Sequence, residues 1–154
     1  MIEGIRRIPL RRFEDERGWL LEINRDSWHE KPMRQTNVSF SRQGVIRALH
    51  YHERGQDDLF ACLRGMVRIV VLDLETGETF TEDIGDDNPV AVYVPGRYAH
   101  GFEALTDALF CYHVTEEYDP DDPDEHEVPW NDPRVLDLWS TRSPILSARD
   151  TVES

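Results

Sequence analysis

The sequence predicts an all-β protein in which two sheets pack face to face as a jelly-roll barrel or sandwich. Three observations carry this expectation. From Gln35 onward, apolar residues fall in runs of about five to nine, the length of strands rather than helices. Clear turn signals separate the runs: Arg64-Gly65, Glu75-Thr76-Gly77, Asp86-Asp87-Asn88-Pro89 and Pro95-Gly96. The stretch Val67-Arg68-Ile69-Val70-Val71-Leu72 is apolar at all but one position, as in a strand covered on both faces.

Taken in order, strands are predicted over Gln35 to Ser41, Gly44 to His52, Asp57 to Leu63, Met66 to Leu74, Glu78 to Ile84, Val90 to Val94 and Ala108 to Thr115. Helix is confined to a few short turns, one at Asp26 to His29 and one starting at Asp132-Pro133 before Leu136. The acidic segment Glu116 to Asp132 carries prolines at 120, 123 and 129 and reads as an extended surface loop. A chain of 154 residues is the size of one domain, so residues 1–154 are expected to form a single unit.

Charge and composition narrow the function classes. With 17 basic and 31 acidic residues the net charge is -14, which repels a nucleic-acid backbone and excludes that partner. An anionic small ligand remains compatible, because arginines placed locally bind a diphosphate whatever the overall charge. Lysine appears only at Lys31, in WHEKPM, which leaves a catalytic lysine almost no candidate. No run approaches the roughly 18 apolar residues of a membrane helix, and the N-terminus lacks an apolar signal core. A soluble, cytoplasmic protein is expected. Cys62 and Cys111 sit inside apolar strand-like runs, where a reduced, packed thiol is the expectation.

Chemistry concentrates in RALHYH. On a strand, His50 and His52 point to the same side, a face that the alternation also assigns to Ile46 and Ala48. One histidine on an apolar face is usually a satisfied core residue, whereas two in succession argue for a site. His100, in VPGRYAHGF, follows a proline-glycine turn between small residues and suits a side chain aimed into a cavity mouth.

Several stretches together then carry a resemblance: DERG with Glu22, QTNVSFS, GVIRALHYH, LRGMVRIVVLD, VPGRYAHGF, YHVTEEYDP, WNDP and ILSARD. In this order they resemble the dTDP-4-dehydrorhamnose 3,5-epimerase family of cupins over most of the chain. The resemblance implies a cupin jelly roll and an isomerase that needs no cofactor. It implies His50 as base, Asp150 as the carboxylate orienting it, and Tyr112 as the acid, with Tyr118 packing nearby. It implies Arg17, Gln35, Asn37 and Arg47 as contacts to a nucleotide-sugar, most simply a dTDP-linked one, with His100 also in the substrate site. Family members are generally homodimers whose strands complete each other's sites, so a homodimer is expected.

The chain departs from the family pattern in ways that open other readings. Counting back from Gly65, the family's active-site lysine falls on Asp58, and the usual glutamine after the His-aromatic pair is His52. Leu20 stands for a phenylalanine and Ala48 for a glycine. The spacing Gly44, His50, His52, Asp58, Gly65 also resembles the first motif of metal-binding cupins, although Arg97 and Ala104 depart from the second. A set of His50, His52, Asp58 and His100 would suit one divalent transition metal, Zn, Fe, Mn or Ni. A ligated His50 could not then act as the base. The sequence therefore leaves three enzymes open: a 3- and/or 5-epimerase of a nucleotide-linked 4-keto-6-deoxy sugar, a metal-dependent cupin acting on another small molecule, and a 3,4-ketoisomerase. A non-catalytic sugar-binding relative is the remaining reading.

Overall fold

Side-chain alternation with a period of two sorts the strands of the computed structural model, which describes residues 2–147, into two layers. Along the chain the strands are β1 (Arg6–Pro9), β2 (Arg12–Asp15), β3 (Gly18–Leu21), β4 (Gln35–Ser41), β5 (Ile46–Tyr51), β6 (Asp57–Arg64), β7 (Met66–Leu72), β8 (Thr79–Gly85), β9 (Val90–Pro95), β10 (Ala99–Ala104), β11 (Ala108–Val114) and β12 (His126–Glu127). One sheet has the order β1-β9-β6-β11-β4, the other β12-β5-β10-β7-β8, and β2 and β3 pair as a separate hairpin. The named strand pairs are antiparallel. This is the all-β architecture that the apolar runs predict. A single turn of 3₁₀ helix at Asp26–Trp28 falls within the predicted Asp26 to His29, whereas the second, Leu136–Leu138, begins only where the turn expected from Asp132-Pro133 was to have ended.

The apolar face of each strand is explained by what covers it. Between the sheets, Phe60, Val67, Ile69, Val71, Phe102 and Phe110 belong to the main core. Val70 and Leu72 turn the other way and pack under Trp130, Val135 and Trp139 from the C-terminal segment. That second layer is why β7 carries so few polar residues. The outer face of the first sheet is covered likewise: Leu59, Ala61, Ala91 and Tyr93 pack against Leu10, Leu21, Ile23, Trp28 and Met33 from the N-terminal segment. Cys62 lies in the main core and Cys111 is buried, both as free thiols, and burial pushes the Cys62 thiol up to about 11.

Strands β1, β2, β3, β10 and β12 go beyond the sequence-based expectation. The first three are short and mostly exposed, so their sequences lack an alternating apolar face. Strand β10 is wholly buried but contains Gly101 and Glu103, two residues poorly suited to strands. The Glu103 carboxylate accepts from the Ser140 backbone N–H at 2.8 Å and from the Ser140 hydroxyl, which satisfies a buried charge.

The face predicted for Ile46 and Ala48 requires correction. Along β5, His50 pairs with His100 and Arg47 with Phe102, so two residues of β5, Ala48 and Leu49, lie opposite Gly101 alone. The extra residue is a β-bulge. Ile46, Ala48 and Leu49 all join the outer layer with Trp130, while Arg47 and His50 both line the interior cavity. Gly101 permits this approach, since a Cβ there would lie 2.3 Å from the Ala48 Cβ and 2.5 Å from the Arg47 carbonyl oxygen. Gly101→Ala is therefore expected to lower unfolding stability by about 1–3 kcal/mol in a denaturant titration. An unchanged midpoint would mean that the bulge has room to spare.

Candidate active site

A cavity of about 820 Å³ opens between the sheets, with Phe60, Ile69, Phe102 and Phe110 on its apolar wall. The sheets present different chemistry to it. Strand β5 supplies Arg47 and His50, while β11 supplies Tyr112 from the opposite sheet. Both His50 and Tyr112 are half-buried, and the Tyr112 ring lies 6.1 Å from Phe110 and 6.5 Å from Phe60, centroid to centroid. An imidazole and a phenol thus enter one cavity from opposite walls.

Gln35 and Asn37 alternate inward from β4 beside Tyr112. The Gln35 amide donates to Asn37 Oδ1 at 3.0 Å, and its Oε1 accepts the Tyr118 backbone N–H at 2.8 Å. That second bond ties the loop after β11 to the cavity wall and holds Tyr118 at the mouth. Arg47 donates from Nε to Ser41 Oγ at 3.0 Å.

A second group of polar side chains is buried deeper. His52 and His100 are 7% and 4% exposed, and Asp58 only 3%. His100 Nε2 lies 3.0 Å and His52 Nε2 3.9 Å from Asp58 Oδ2. Each histidine donates its Nδ1–H to a backbone carbonyl, His52 to Asp124 at 2.7 Å and His100 to Tyr98 at 2.9 Å. Burial alone would raise the Asp58 pKa, but the charge and hydrogen bonds of His100 and His52 outweigh it and hold the carboxyl well below the usual range. Burial likewise opposes charge on His52, and Asp58 and Asp124 outweigh it to raise that pKa.

Most of the expected residues meet here. His50, Tyr112, Gln35, Asn37, Arg47, His100 and Tyr118 all line the cavity. Arg17 does not: it stands on the exposed turn between β2 and β3, with a side chain 87% exposed and paired to Asp15. Asp150 lies outside the described residues. The four-residue metal set is also revised. His52, Asp58 and His100 bring their ligand atoms within 4.8 Å of one another, and His50 is not part of that group. Arg54 and Gln56 line the cavity without having been expected to. Gln56 was within reach of the alternation rule, since Gln56, Asp58 and Phe60 all face inward. Lys31 is occupied elsewhere, donating to the Gly55 carbonyl at 2.7 Å and pairing with Asp57 at 3.1 Å.

The comparison with known proteins then decides the family. The model of the dTDP-4-dehydrorhamnose 3,5-epimerase family matches residues 1–154. The chain belongs to that family. It is 37% identical to the spore coat polysaccharide biosynthesis protein SpsL of Bacillus subtilis over 149 residues, 92% of this chain and 98% of SpsL. Among solved structures it resembles NovW, a 4-keto-6-deoxy sugar epimerase of Streptomyces spheroides, with TM-score 0.86 and 33% identity over 97% of this chain and 81% of NovW. It also resembles the dTDP-6-deoxy-D-glucose-3,5-epimerase of Legionella pneumophila in complex with dTDP-4-keto-L-rhamnose. That match has TM-score 0.85 and 27% identity, over 97% of this chain and 86% of the other. The fold is therefore that of the family, a cupin jelly roll. Among the described residues no helix is long and apolar enough to cross a membrane.

The Gln35 to Tyr118 bond has a measurable consequence. A neutral hydrogen bond of this kind contributes about 0.5–1.5 kcal/mol. Gln35→Ala is expected to speed hydrogen exchange at the Tyr118 amide several-fold, and unchanged exchange would mean that the loop is held by other contacts.

Proposed function

We propose that this protein epimerises a nucleotide-linked 4-keto-6-deoxy sugar at C3, C5 or both, with His50 as base and Tyr112 as acid. One observation carries the reading: an imidazole and a phenol line a single cavity from opposite sheets. Inversion at carbon requires that geometry, because the proton must leave from one face and return to the other. The 4-keto group makes the chemistry accessible by acidifying the neighbouring C–H bonds. His50 takes the proton, and the C–H electron pair delocalises into the ketone as an enolate. Carbon then takes the Tyr112 O–H proton from the opposite face. Exchange with solvent returns the imidazolium and phenolate to their starting states.

The activities named for NovW and the Legionella enzyme, and the dTDP-4-keto-L-rhamnose held by the latter, support a dTDP-linked substrate. In this reading Arg47 meets the diphosphate, while Gln35, Asn37, His100 and Tyr118 orient the sugar nucleotide. Asp150 orients the His50 ring. The epimerase reading stands ahead of a 3,4-ketoisomerase because the family match covers residues 1–154. A cytoplasmic setting fits the two buried, unbridged cysteines.

The same reading includes a homodimer. Strand β4 is an edge strand, and its outward residues Val38 and Phe40 are 58% and 59% exposed. A long apolar edge of this kind invites a partner strand. Arg17, remote from its own cavity, would then serve the cavity of the second copy.

Incubation with dTDP-4-keto-6-deoxyglucose in deuterated water tests the chemistry. Deuterium is expected at C3 or C5, with His50→Ala slowing its entry by at least about 100-fold; entry at the wild-type rate in that variant would remove His50 from the role of base. Sedimentation should give twice the 18.0 kDa of one chain, and a monomer mass at micromolar concentration would refute the dimer.

A further inference from the structure

We infer that His52, Asp58 and His100 form a binding site for one divalent first-row transition-metal ion, separate from His50. The argument begins with the tautomers. A backbone carbonyl can only accept, so the bonds from His52 to Asp124 and from His100 to Tyr98 fix the proton of each neutral ring on Nδ1. In the neutral ring the Nε2 lone pair is then free to bind a metal ion. The Nε2 atoms of His52 and His100 lie 3.9 Å and 3.0 Å from Asp58 Oδ2. The buried Asp58 charge is therefore balanced either by protons on the two Nε2 atoms or by a metal ion that displaces those protons and takes all three atoms as ligands.

The donor set fits such an ion. Two imidazoles and one carboxylate suit divalent zinc, iron, manganese or cobalt, and leave coordination positions open. An ion with bonds of about 2.0–2.2 Å separates its ligand atoms by roughly 3.0–3.5 Å. The group is already gathered within 4.8 Å, with His100 Nε2 and Asp58 Oδ2 3.0 Å apart. The outer contacts also match what ligating histidines need, since a backbone acceptor on Nδ1 holds the ring in its ligating orientation. Gln56 marks the same focal point: its amide donates to Asp58 Oδ1 at 3.0 Å and to His52 Nε2 at 3.1 Å. All three ligands line the cavity, so the open positions face the substrate space.

His50 lies outside the group. A role for the ion beside the ketone rests on the proposed epimerase reading, whereas binding of the ion does not. In that role it would supply Lewis acidity that no lysine can, because Lys31 is held by Gly55 and Asp57.

The test uses the full chain, purified without a metal-affinity column and stripped with chelator. Zinc, manganese and, without oxygen, ferrous iron are each titrated in by calorimetry, and metal content is read by mass spectrometry. At least one of them should bind at one ion per chain, with His50→Ala unaffected. Asp58→Asn and His52→Gln should each weaken binding by at least about 100-fold; the second variant covers the case that the first does not fold. Deuterium uptake into the keto-sugar is followed in the same samples. One ion bound without deuterium uptake would sustain the site and sink the epimerase reading. Full activity in stripped protein that binds none of the three metals would overturn the site and leave the epimerase reading standing. Binding that survives both variants, or is lost in His50→Ala, would also overturn this ligand set.

Discussion

The site depends on one backbone irregularity, the extra residue in β5 opposite Gly101. In a regular strand, a side chain three positions before His50 would face the other way. The bulge resets the alternation, so Arg47 and His50 both reach the cavity while Ile46, Ala48 and Leu49 are committed to the outer layer with Trp130. A guanidinium and an imidazole therefore share one wall. The missing side chain at Gly101 makes the bulge possible, because that approach leaves no volume for a methyl group.

The covered sheets explain why the wall is rigid. The N-terminal segment packs on one outer face and the C-terminal segment on the other, so the strands carrying His50 and Tyr112 are braced from behind as well as across the core. Electrostatics shape the interior differently from the surface. The chain is strongly acidic, and Glu116, Glu117, Asp119 and Asp122 line the cavity mouth. Arg54 there is engaged by Asp122 at 2.9 Å. Arg47, whose side-chain bonds run to neutral oxygens, is the better placed cation for an anionic ligand.

Much of this was legible in the residues. Each of the seven predicted strands is present, with Gln35–Ser41 matching at both ends, because a buried face writes its period into the sequence. The short strands at the N-terminus and β12 were not legible: edge pairs such as His126 with Tyr51 depend on register rather than on apolar pattern. Strand β10 was hidden by Gly101 and Glu103, whose reasons are tertiary. Within the site, the pairing of inward histidines came from alternation, but the part His50 and His52 take differs, since only His52 joins Asp58 and His100. Spacing alone cannot separate a ligand from its neighbour two residues away. Tyr112 as acid came from the family resemblance, and the structure adds that it lines the cavity from the sheet opposite His50.

The central claim is that the two walls of the cavity divide proton removal from proton return. The most direct measurement is the stereochemical course of isotope exchange in Tyr112→Phe, followed by proton magnetic resonance on the keto-sugar in deuterated water. With the phenol gone and the imidazole intact, deuterium should enter with retained configuration while inversion falls by at least about 100-fold. Inversion at the wild-type rate in that variant would mean that the proton returns from some other group, and the account would fail.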